Sequence, residues 1–226
     1  MTTAWLTGAT GAWGGAFALA LLDSGYDVLT LGRRDTAALA SQADELGRIC
    51  GIVELDLSAS ASFAELRAAA PEPLRRTPDV FIHAAVSPEG DRAALVGADY
   101  LAPAALIDDV ARAMLERGSG RMGVLVPQNA RLGMAGLGDL SSAQAALWTW
   151  CEAKRDELAH GDRDVTLTVV IPPRTASATQ RVVARQSGHS TRLSPADANG
   201  LLRTILAGRR HAGRRPILAA LAMVFR

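Results

Sequence analysis

The sequence predicts an α/β protein with a single doubly wound parallel sheet and helices on both of its faces. Short apolar runs rich in β-forming residues alternate along the chain with alanine-rich stretches of helical spacing. The runs are apolar throughout rather than at every second residue, which is typical of parallel strands covered on both sides. With 226 residues, 49% of them apolar and 21% charged, the chain can form one core. We therefore expect one domain over residues 1–226.

Six apolar runs are the predicted strands: Ala4–Leu6, Val28–Leu31, Ile52–Leu55, Val80–His83, Met122–Val126 and Val165–Ile171. The helical stretches are 15–24, 36–47, 60–70, 91–117 and 141–160. Pro103 falls inside the fourth stretch, where we expect a local kink rather than a boundary. A last helix is predicted to start at Ser194–Pro195, because serine is a good N-cap and proline is favoured at the first helical position. Residues 216–222 are a candidate last strand.

The composition excludes several classes of function. The formal net charge is +1, so no overall field draws the protein to nucleic acid. No apolar run reaches the roughly 18 residues of a membrane span, and the first residues lack the features of a secretory signal. Cys50 and Cys151 are too few for a disulfide framework and lack metal-ligand spacing. We therefore predict a cytoplasmic protein with no metal site, no nucleic-acid partner and no membrane contact.

The turn after the first predicted strand carries the clearest chemical signal. It reads Thr7-Gly8-Ala9-Thr10-Gly11-Ala12-Trp13-Gly14-Gly15 and leads into a helix. Glycines at these spacings let the backbone turn tightly and approach a pyrophosphate, while the helix N-terminus offers amide donors. The pattern is not the plain Gly-x-Gly-x-x-Gly, but it follows a strand and opens a helix. This position indicates a dinucleotide held by Gly8, Thr10, Gly11, Trp13 and Gly14. The alternative is a glycine-rich turn that binds no ligand.

The end of the second strand indicates which dinucleotide is bound. Arg33 and Arg34 stand where an NAD-binding sheet places an acid, about 20 residues past the glycines. An arginine pair can instead hold a 2′-phosphate, so the sequence predicts NADP(H). The alternative is two solvated arginines before a helix capped by Asp35. Asp56, which closes the third strand, is expected either to meet the adenine amino group or to cap the next turn.

The order of these motifs resembles that of the short-chain dehydrogenases/reductases. The resemblance covers essentially the whole chain and also includes Leu55-Asp56-Leu57, His83-Ala84-Ala85, Glu116–Arg121, Ser141–Leu147 and Val169–Pro172. It implies a Rossmann-type NADP(H)-binding domain, with Leu57, Ala84 and Ala85 beside the cofactor. It also implies a dimer or tetramer assembled through the helices of 91–117 and 141–160.

The resemblance also implies catalytic residues that this chain lacks. Oxidoreductases of the family use a Tyr-x-x-x-Lys pair, a serine and an asparagine. The aligned positions here hold Leu140 for the tyrosine, Gln144 for the lysine, Pro127 for the serine and Asp99 near the asparagine. Tyr26 and Tyr100 are the only tyrosines and Lys154 is the only lysine, so no Tyr-x-x-x-Lys exists at any register.

Other polar residues remain as candidates for the chemistry. They are Gln128, Asn129, Ser142, Gln144, Asp99 and His189, with Ser141 and Tyr100 close by in sequence. Gln128 and Asn129 leave the fifth strand at the edge where such sheets bind ligands, and they could polarise a carbonyl as amide donors or satisfy loop backbone groups. His189 lies in residues 174–194, a segment expected to cover the substrate. It either contributes to the site or is exposed to solvent.

A basic C-terminal segment, residues 195–226, ends the domain. Its run of Arg209, Arg210, Arg214 and Arg215 is either a solvated helix end or a docking site for an acidic partner such as an acyl carrier protein.

Three functions follow from the sequence. The first is an atypical enzyme that acts on a small carbonyl-containing biosynthetic metabolite, by a non-redox step or by hydride transfer without the Tyr/Lys relay. The others are a catalytically silent subunit of an active paralogue and an NADP(H)-responsive regulator.

Overall fold

Seven parallel strands form one sheet in the part of the chain that the structure describes. It is a computed structural model, which describes residues 2–32, 36–56, 62–87, 89–172, 195–209 and 211–213. The strands are β1 (Thr3–Thr7), β2 (Asp27–Leu31), β3 (Cys50–Val53), β4 (Val80–His83), β5 (Ser119–Leu125), β6 (Asp164–Ile171) and β7 (His211–Gly213). Their order is β3-β2-β1-β4-β5-β6-β7, and every neighbouring pair is parallel. The predicted doubly wound α/β fold is confirmed.

Helices cover both faces of this sheet. In chain order they are α1 (Ala12–Asp23), α2 (Ala37–Glu45), α3 (Phe63–Ala69), α4 (Arg92–Val96), α5 (Ala102–Arg117), α6 (Asn129–Leu132), α7 (Gly138–Ala159) and α8 (Pro195–Leu206). Apolar side chains of α3, α5 and α7 form one buried cluster with the sheet, and those of α1, α2 and α8 form a second. None of the described helices has the length and hydropathy needed to cross a membrane.

The central strand β1 shows how the two clusters share the sheet. Trp5 belongs to the first cluster, whereas Ala4 and Leu6 belong to the second, because successive strand residues point to opposite faces. The Trp5 indole N–H donates to the carbonyl of Leu74 at 3.2 Å, and its ring lies 5.0 Å from that of Phe63. These contacts hold α3 and the turn after it against the middle of the sheet.

The structure differs from the sequence prediction at three elements. The predicted helix 91–117 is broken by a π-helical turn, Gly97–Leu101, which separates α4 from α5. The break therefore precedes Pro103 rather than lying at it. Because proline has no backbone N–H, Pro103 cannot donate a hydrogen bond to the carbonyl one turn earlier. The wider π-helical turn lies at that point of the chain. Helix α6 has four residues, too few to show a helical period. The seventh strand is His211–Gly213, while the candidate strand 216–222 lies outside the described residues.

The topology determines where a ligand can bind. The chain runs from β1 through β2 to β3 on one side, and then crosses to β4 and beyond on the other. In sheets of this kind the crevice lies outside the carboxyl ends of the strands at that reversal, between β1 and β4. The residues that follow β1, β4 and β5 therefore converge at one edge.

Candidate functional site

The turn after β1 lies directly against the chain that leaves β4. Gly8 has a φ of +75°, a conformation that favours glycine. A Cβ on Gly8 would lie 2.6 Å from the Ala85 nitrogen and 2.7 Å from the Ala84 carbonyl oxygen. Both the backbone conformation and this contact therefore require glycine. Ala84 and Ala85 border the turn, as the sequence predicted.

The same turn receives the start of α1. A Cβ on Gly14 would overlap the carbonyl oxygen of Gly8, so only glycine lets the helix pack this closely. The Gly11 N–H donates to the Gly8 carbonyl at 2.9 Å, and Gly11 is the N-cap of α1. Because glycine has no side chain, α1 begins without a side-chain cap. The amides of its first turn are left to water or a ligand.

A buried threonine–histidine pair fixes the chain beneath the turn. Thr7 Oγ1 lies 2.9 Å from His83 Nδ1, and it accepts the N–H groups of Ala84 at 3.2 Å and Ala85 at 3.4 Å. Burial lowers the pKa of His83 to about 4, so the imidazole is neutral near pH 7. His83 therefore acts as a structural residue at the end of β4.

These features fit a bound dinucleotide pyrophosphate. Thr10 and Gly11 are exposed on the outer side of the turn, where a phosphate can meet the free amides of α1. The Trp13 indole nitrogen is buried and has no hydrogen-bond partner among the described residues. An unpaired buried donor is costly, and a ligand oxygen would satisfy it. Asp56 lies half-buried just past β3, while Arg33, Arg34 and Leu57 lie outside the described residues.

A buried carboxyl group lies across the crevice from this turn. Asp99 belongs to the π-helical turn Gly97–Leu101 and is 2% exposed. Its two oxygens accept the backbone N–H of Ser87 at 3.1 and 3.3 Å. Ser87 lies two residues past Ala85, so one short segment borders the glycine turn and also holds Asp99.

Two side-chain amides connect Asp99 to α6 and α7. Gln144 Nε2 donates to Asp99 Oδ1 at 3.5 Å, and Asn129 Nδ2 donates to Gln144 Oε1 at 2.9 Å. Asn129 Nδ2 also lies 3.4 Å from Ser141 Oγ. We call Asp99, Gln144, Asn129 and Ser141 the polar network. All four are polar residues that the sequence points to, and the structure brings them together.

The charge of the network depends on pH. Burial raises the pKa of Asp99 to about 6, while the hydrogen bonds from the Ser87 N–H and the Gln144 amide oppose that rise. All of its hydrogen-bond donors in the described part of the chain are neutral. The Asp99 carboxyl group can therefore hold or release a proton near neutral pH.

The other predicted candidates lie apart from the polar network or outside the described residues. Ser142 is exposed, whereas Ser141 beside it is 5% exposed, because consecutive helical residues point about 100° apart. Gln128 and Pro127 are half-buried before α6, and Leu140 is 2% exposed. His189 and the segment 174–194 lie outside the described residues. Within the described part of the chain, no cluster of His, Cys, Asp and Glu side chains could hold a metal ion.

The single lysine is engaged between α5 and α7. Lys154 Nζ pairs with Asp108 Oδ1 at 2.5 Å and with Glu157 Oε2 at 3.2 Å. The three residues line a cavity of about 310 Å³, together with Ala104, Ala105, Trp150 and Ala153. The polar network therefore contains no lysine.

A family model described as short chain dehydrogenase matches residues 2–188. The chain belongs to the short-chain dehydrogenase family. The matched range contains both the glycine turn and the polar network. Members of this family are oxidoreductases that bind nicotinamide dinucleotides, so the predicted family and class of cofactor are confirmed. A sequence search of the curated proteins finds no match.

Several solved structures share the fold. A short-chain dehydrogenase from Sphingobium yanoikuyae in complex with NADPH is 17% identical, with a TM-score of 0.81 over 100% of this chain and 93% of that one. A short-chain dehydrogenase/reductase from Burkholderia phymatum in complex with NAD is 18% identical, with a TM-score of 0.81 over 98% and 92%. A 3-oxoacyl (acyl-carrier-protein) reductase from Agrobacterium tumefaciens with NADP bound is 17% identical, with a TM-score of 0.77 over 90% and 86%. At these identities the likeness shows the Rossmann-type fold alone.

Replacing Gly8 by alanine is expected to destabilise the fold through two separate effects. The left-handed backbone costs an alanine about 1–3 kcal/mol, and the overlap with Ala84 and Ala85 costs about 1–3 kcal/mol more. Gly47→Ala is the matched control, since Gly47 has a φ of +64° and nothing within 4 Å of the added Cβ. Urea unfolding of both variants measures the difference. Equal losses would contradict the close approach at Gly8.

Asp99→Asn is expected to make the protein more stable than the wild type above pH 6. Because the folded-state pKa of Asp99 is about 6, above the ordinary value near 3.9, the native state binds more protons between these values. The stability contributed by Asp99 is present at pH 4 and is lost as the pH rises through 6, by about 2–3 kcal/mol. Urea unfolding of both proteins from pH 4 to 8 gives this difference. A difference that does not grow with pH would show that Asp99 is not buried as a carboxyl group.

Proposed function

We propose that this chain is an atypical short-chain dehydrogenase/reductase that binds NADP(H) and acts on a small carbonyl-containing metabolite of a biosynthetic route. It works either by a non-redox step or by hydride transfer without a Tyr/Lys proton relay. The observation that carries the proposal is the polar network of Asp99, Gln144, Asn129 and Ser141 at the carboxyl edge of the sheet. It is linked to the glycine turn by the segment from Ala84 to Ser87.

The cofactor side of the proposal depends on the glycine turn and on Arg33 and Arg34. Gly8, Gly11 and Gly14 would let the pyrophosphate approach the backbone, and the Trp13 indole N–H would meet a ligand oxygen. Arg33 and Arg34 would hold the 2′-phosphate with charge-assisted hydrogen bonds. When bound, the nicotinamide supplies or accepts a hydride. The similar dehydrogenase from S. yanoikuyae contains NADPH, which supports NADP(H) here.

The chemical side depends on what stands in place of the family's proton relay. A positioned general acid contributes about 10²–10⁴-fold to a rate, and Leu140 has no proton to give. In the proposed site, Asp99 holds or takes the proton at a carboxyl oxygen. Gln144 orients Asp99 through one amide hydrogen and keeps a second hydrogen for a substrate oxygen. Asn129 fixes the orientation of Gln144, and Gln128 borders the same edge.

A second candidate function is a catalytically silent subunit that completes an assembly with an active paralogue. The observation that favours it is the chain's lack of any Tyr-x-x-x-Lys. A regulator that responds to NADP(H) would share the cofactor site and likewise lack turnover. The regulator predicts cofactor binding without catalysis, whereas a protein that binds neither cofactor would favour the silent subunit.

We also propose a dimer or tetramer in which α5 and α7 pack between subunits, as is common in the family. Leu101, which precedes α5, is 57% exposed, and the cavity lined by Lys154 opens between the same two helices.

An acyl carrier protein remains a proposed partner for the C-terminal arginines. Arg209 is exposed, and Arg210, Arg214 and Arg215 lie outside the described residues. The A. tumefaciens protein is named as a 3-oxoacyl (acyl-carrier-protein) reductase, which supports this partner.

We expect NADPH to bind at least tenfold more tightly than NADH, a gap of about 1.4 kcal/mol. The reason is the charge of Arg33 and Arg34 at the ribose-recognition position. Fluorescence titration of both cofactors on the wild type and on the Arg33→Ala/Arg34→Ala double variant measures it. The double variant should lose the gap while its affinity for NADH stays the same. Equal affinities in the wild type would contradict the assignment.

We also expect negligible NADPH consumption with simple ketones and aldehydes between pH 6 and 9, because no tyrosine–lysine pair donates a proton. The assay follows the absorbance of NADPH over a panel of such carbonyls, with the cofactor titration above as the control that the sample is native. Turnover near the 10 s⁻¹ typical of enzymes would overturn the atypical assignment. In that case Asp99→Asn and Gln144→Leu would identify the source of the proton.

A further inference from the structure

A dinucleotide at the carboxyl edge of this sheet would place one half beside β1, β2 and β3 and the other half beside β4 and β5. The glycine turn follows β1, and β2 lies on one side of that strand. Arg33 and Arg34 come shortly after β2 in the sequence. On the other side lie β4 and β5, which lead to Ser87 and to Asn129. A dinucleotide crosses such a sheet at the reversal of strand order, with one half on each side. If the 2′-phosphate end binds beyond β2, the nicotinamide half lies on the side of Asp99.

The electrostatic surroundings of Asp99 are unusual for a buried carboxyl group. Its bonds come from the Ser87 N–H and the Gln144 amide, both neutral, and no cation of the described residues pairs with it. Titratable or charged groups on the neighbouring segments are His83, Glu89, Asp91, Arg92, Tyr100, Asp108, Asp109, Arg131 and Asp139. The Arg131 guanidinium lies over the Trp148 ring, 4.6 Å from its centre. Arg92 is exposed and paired with Asp139 at 2.7 Å, and His83 is neutral. The charge of Asp99 is therefore left for a ligand to compensate.

We propose that the Asp99 carboxylate makes this site select the oxidised dinucleotide, whose nicotinamide ring is positively charged, over the reduced one, whose ring is neutral. This inference rests on the proposed NADP(H) binding and adds the redox form to it. The resemblance to the family implies an asparagine near Asp99 and a lysine at Gln144, a pair with a positive charge. Here the same two positions carry a negative charge, so the polarity beside the nicotinamide is reversed.

The size of the effect follows from elementary electrostatics. At an effective dielectric constant of about 20, two opposite unit charges about 12 Å apart attract strongly enough to change an affinity about tenfold. The attraction exists only when Asp99 is ionised. Because burial raises the pKa of Asp99 to about 6, the preference for the oxidised cofactor should grow as the pH rises through that value. By linkage, the oxidised cofactor should also lower the pKa of Asp99.

Calorimetric titration of the wild type with NADP⁺ and with NADPH, in freshly mixed samples from pH 5 to 8, tests the inference. The readout is the ratio of the two dissociation constants. The 2′-phosphate titrates in the same range, but both cofactors carry it, so its effect cancels in the ratio. We expect the preference for NADP⁺ to increase at least about fivefold over this range. A ratio that stays constant would overturn the inference.

Two matched variants identify the group responsible. Asp99→Asn keeps the shape and removes the charge, and it should make the ratio independent of pH. Asp91→Asn removes an exposed carboxylate from the N-cap of α4, where asparagine is also a good cap, and it should leave the pH dependence intact. A pH dependence that persists in Asp99→Asn would overturn the assignment. If neither cofactor binds the wild type, the proposed function itself fails. If both bind with a constant ratio, only the present inference fails.

Discussion

The close approach of two backbone segments determines how this site is built. The turn at Gly8 lies against Ala84 and Ala85 with no room for a Cβ, and the buried Thr7–His83 bond holds the two strand ends beneath it. This contact is possible because β1 and β4 are neighbours in the sheet although 73 residues separate Thr7 from Val80 along the chain. This contact fixes the position of the glycine turn relative to the segment that follows β4.

The segment that leaves this contact also determines the state of Asp99. Two residues after Ala85, the Ser87 N–H holds the carboxyl group in a buried position where only neutral donors reach it. Gln144 and Asn129 extend the same hydrogen-bonded chain to α7 and α6. The candidate site therefore combines the glycine turn with a buried acid that no cation of the described residues pairs with.

The sequence predicted the parts of this site that depend on local pattern. The glycine spacing, the apolar strands and the order of the motifs along the chain could be identified from short stretches of sequence. The bond between Asp99 and Gln144 could not be identified in this way, since the two residues are 45 positions apart and α5, β5 and α6 lie between them. Which of Ser141 and Ser142 faces the polar network depends on the rotational phase of the helix. The predicted helix began at residue 141, three residues after the observed start of α7 at Gly138. Ser87 holds Asp99 through its backbone N–H, and no side-chain motif in the sequence reveals such a contact.

The central claim is that the glycine turn and the segment from Ala84 to Ser87 form one dinucleotide site. Amide hydrogen exchange with and without NADP⁺ tests it most directly, because exchange reports each segment separately. We expect slower exchange in both segments, residues 8–15 and 84–87, at saturating cofactor, and little change in α3. Protection confined to other parts of the chain, or no protection in either segment, would contradict it.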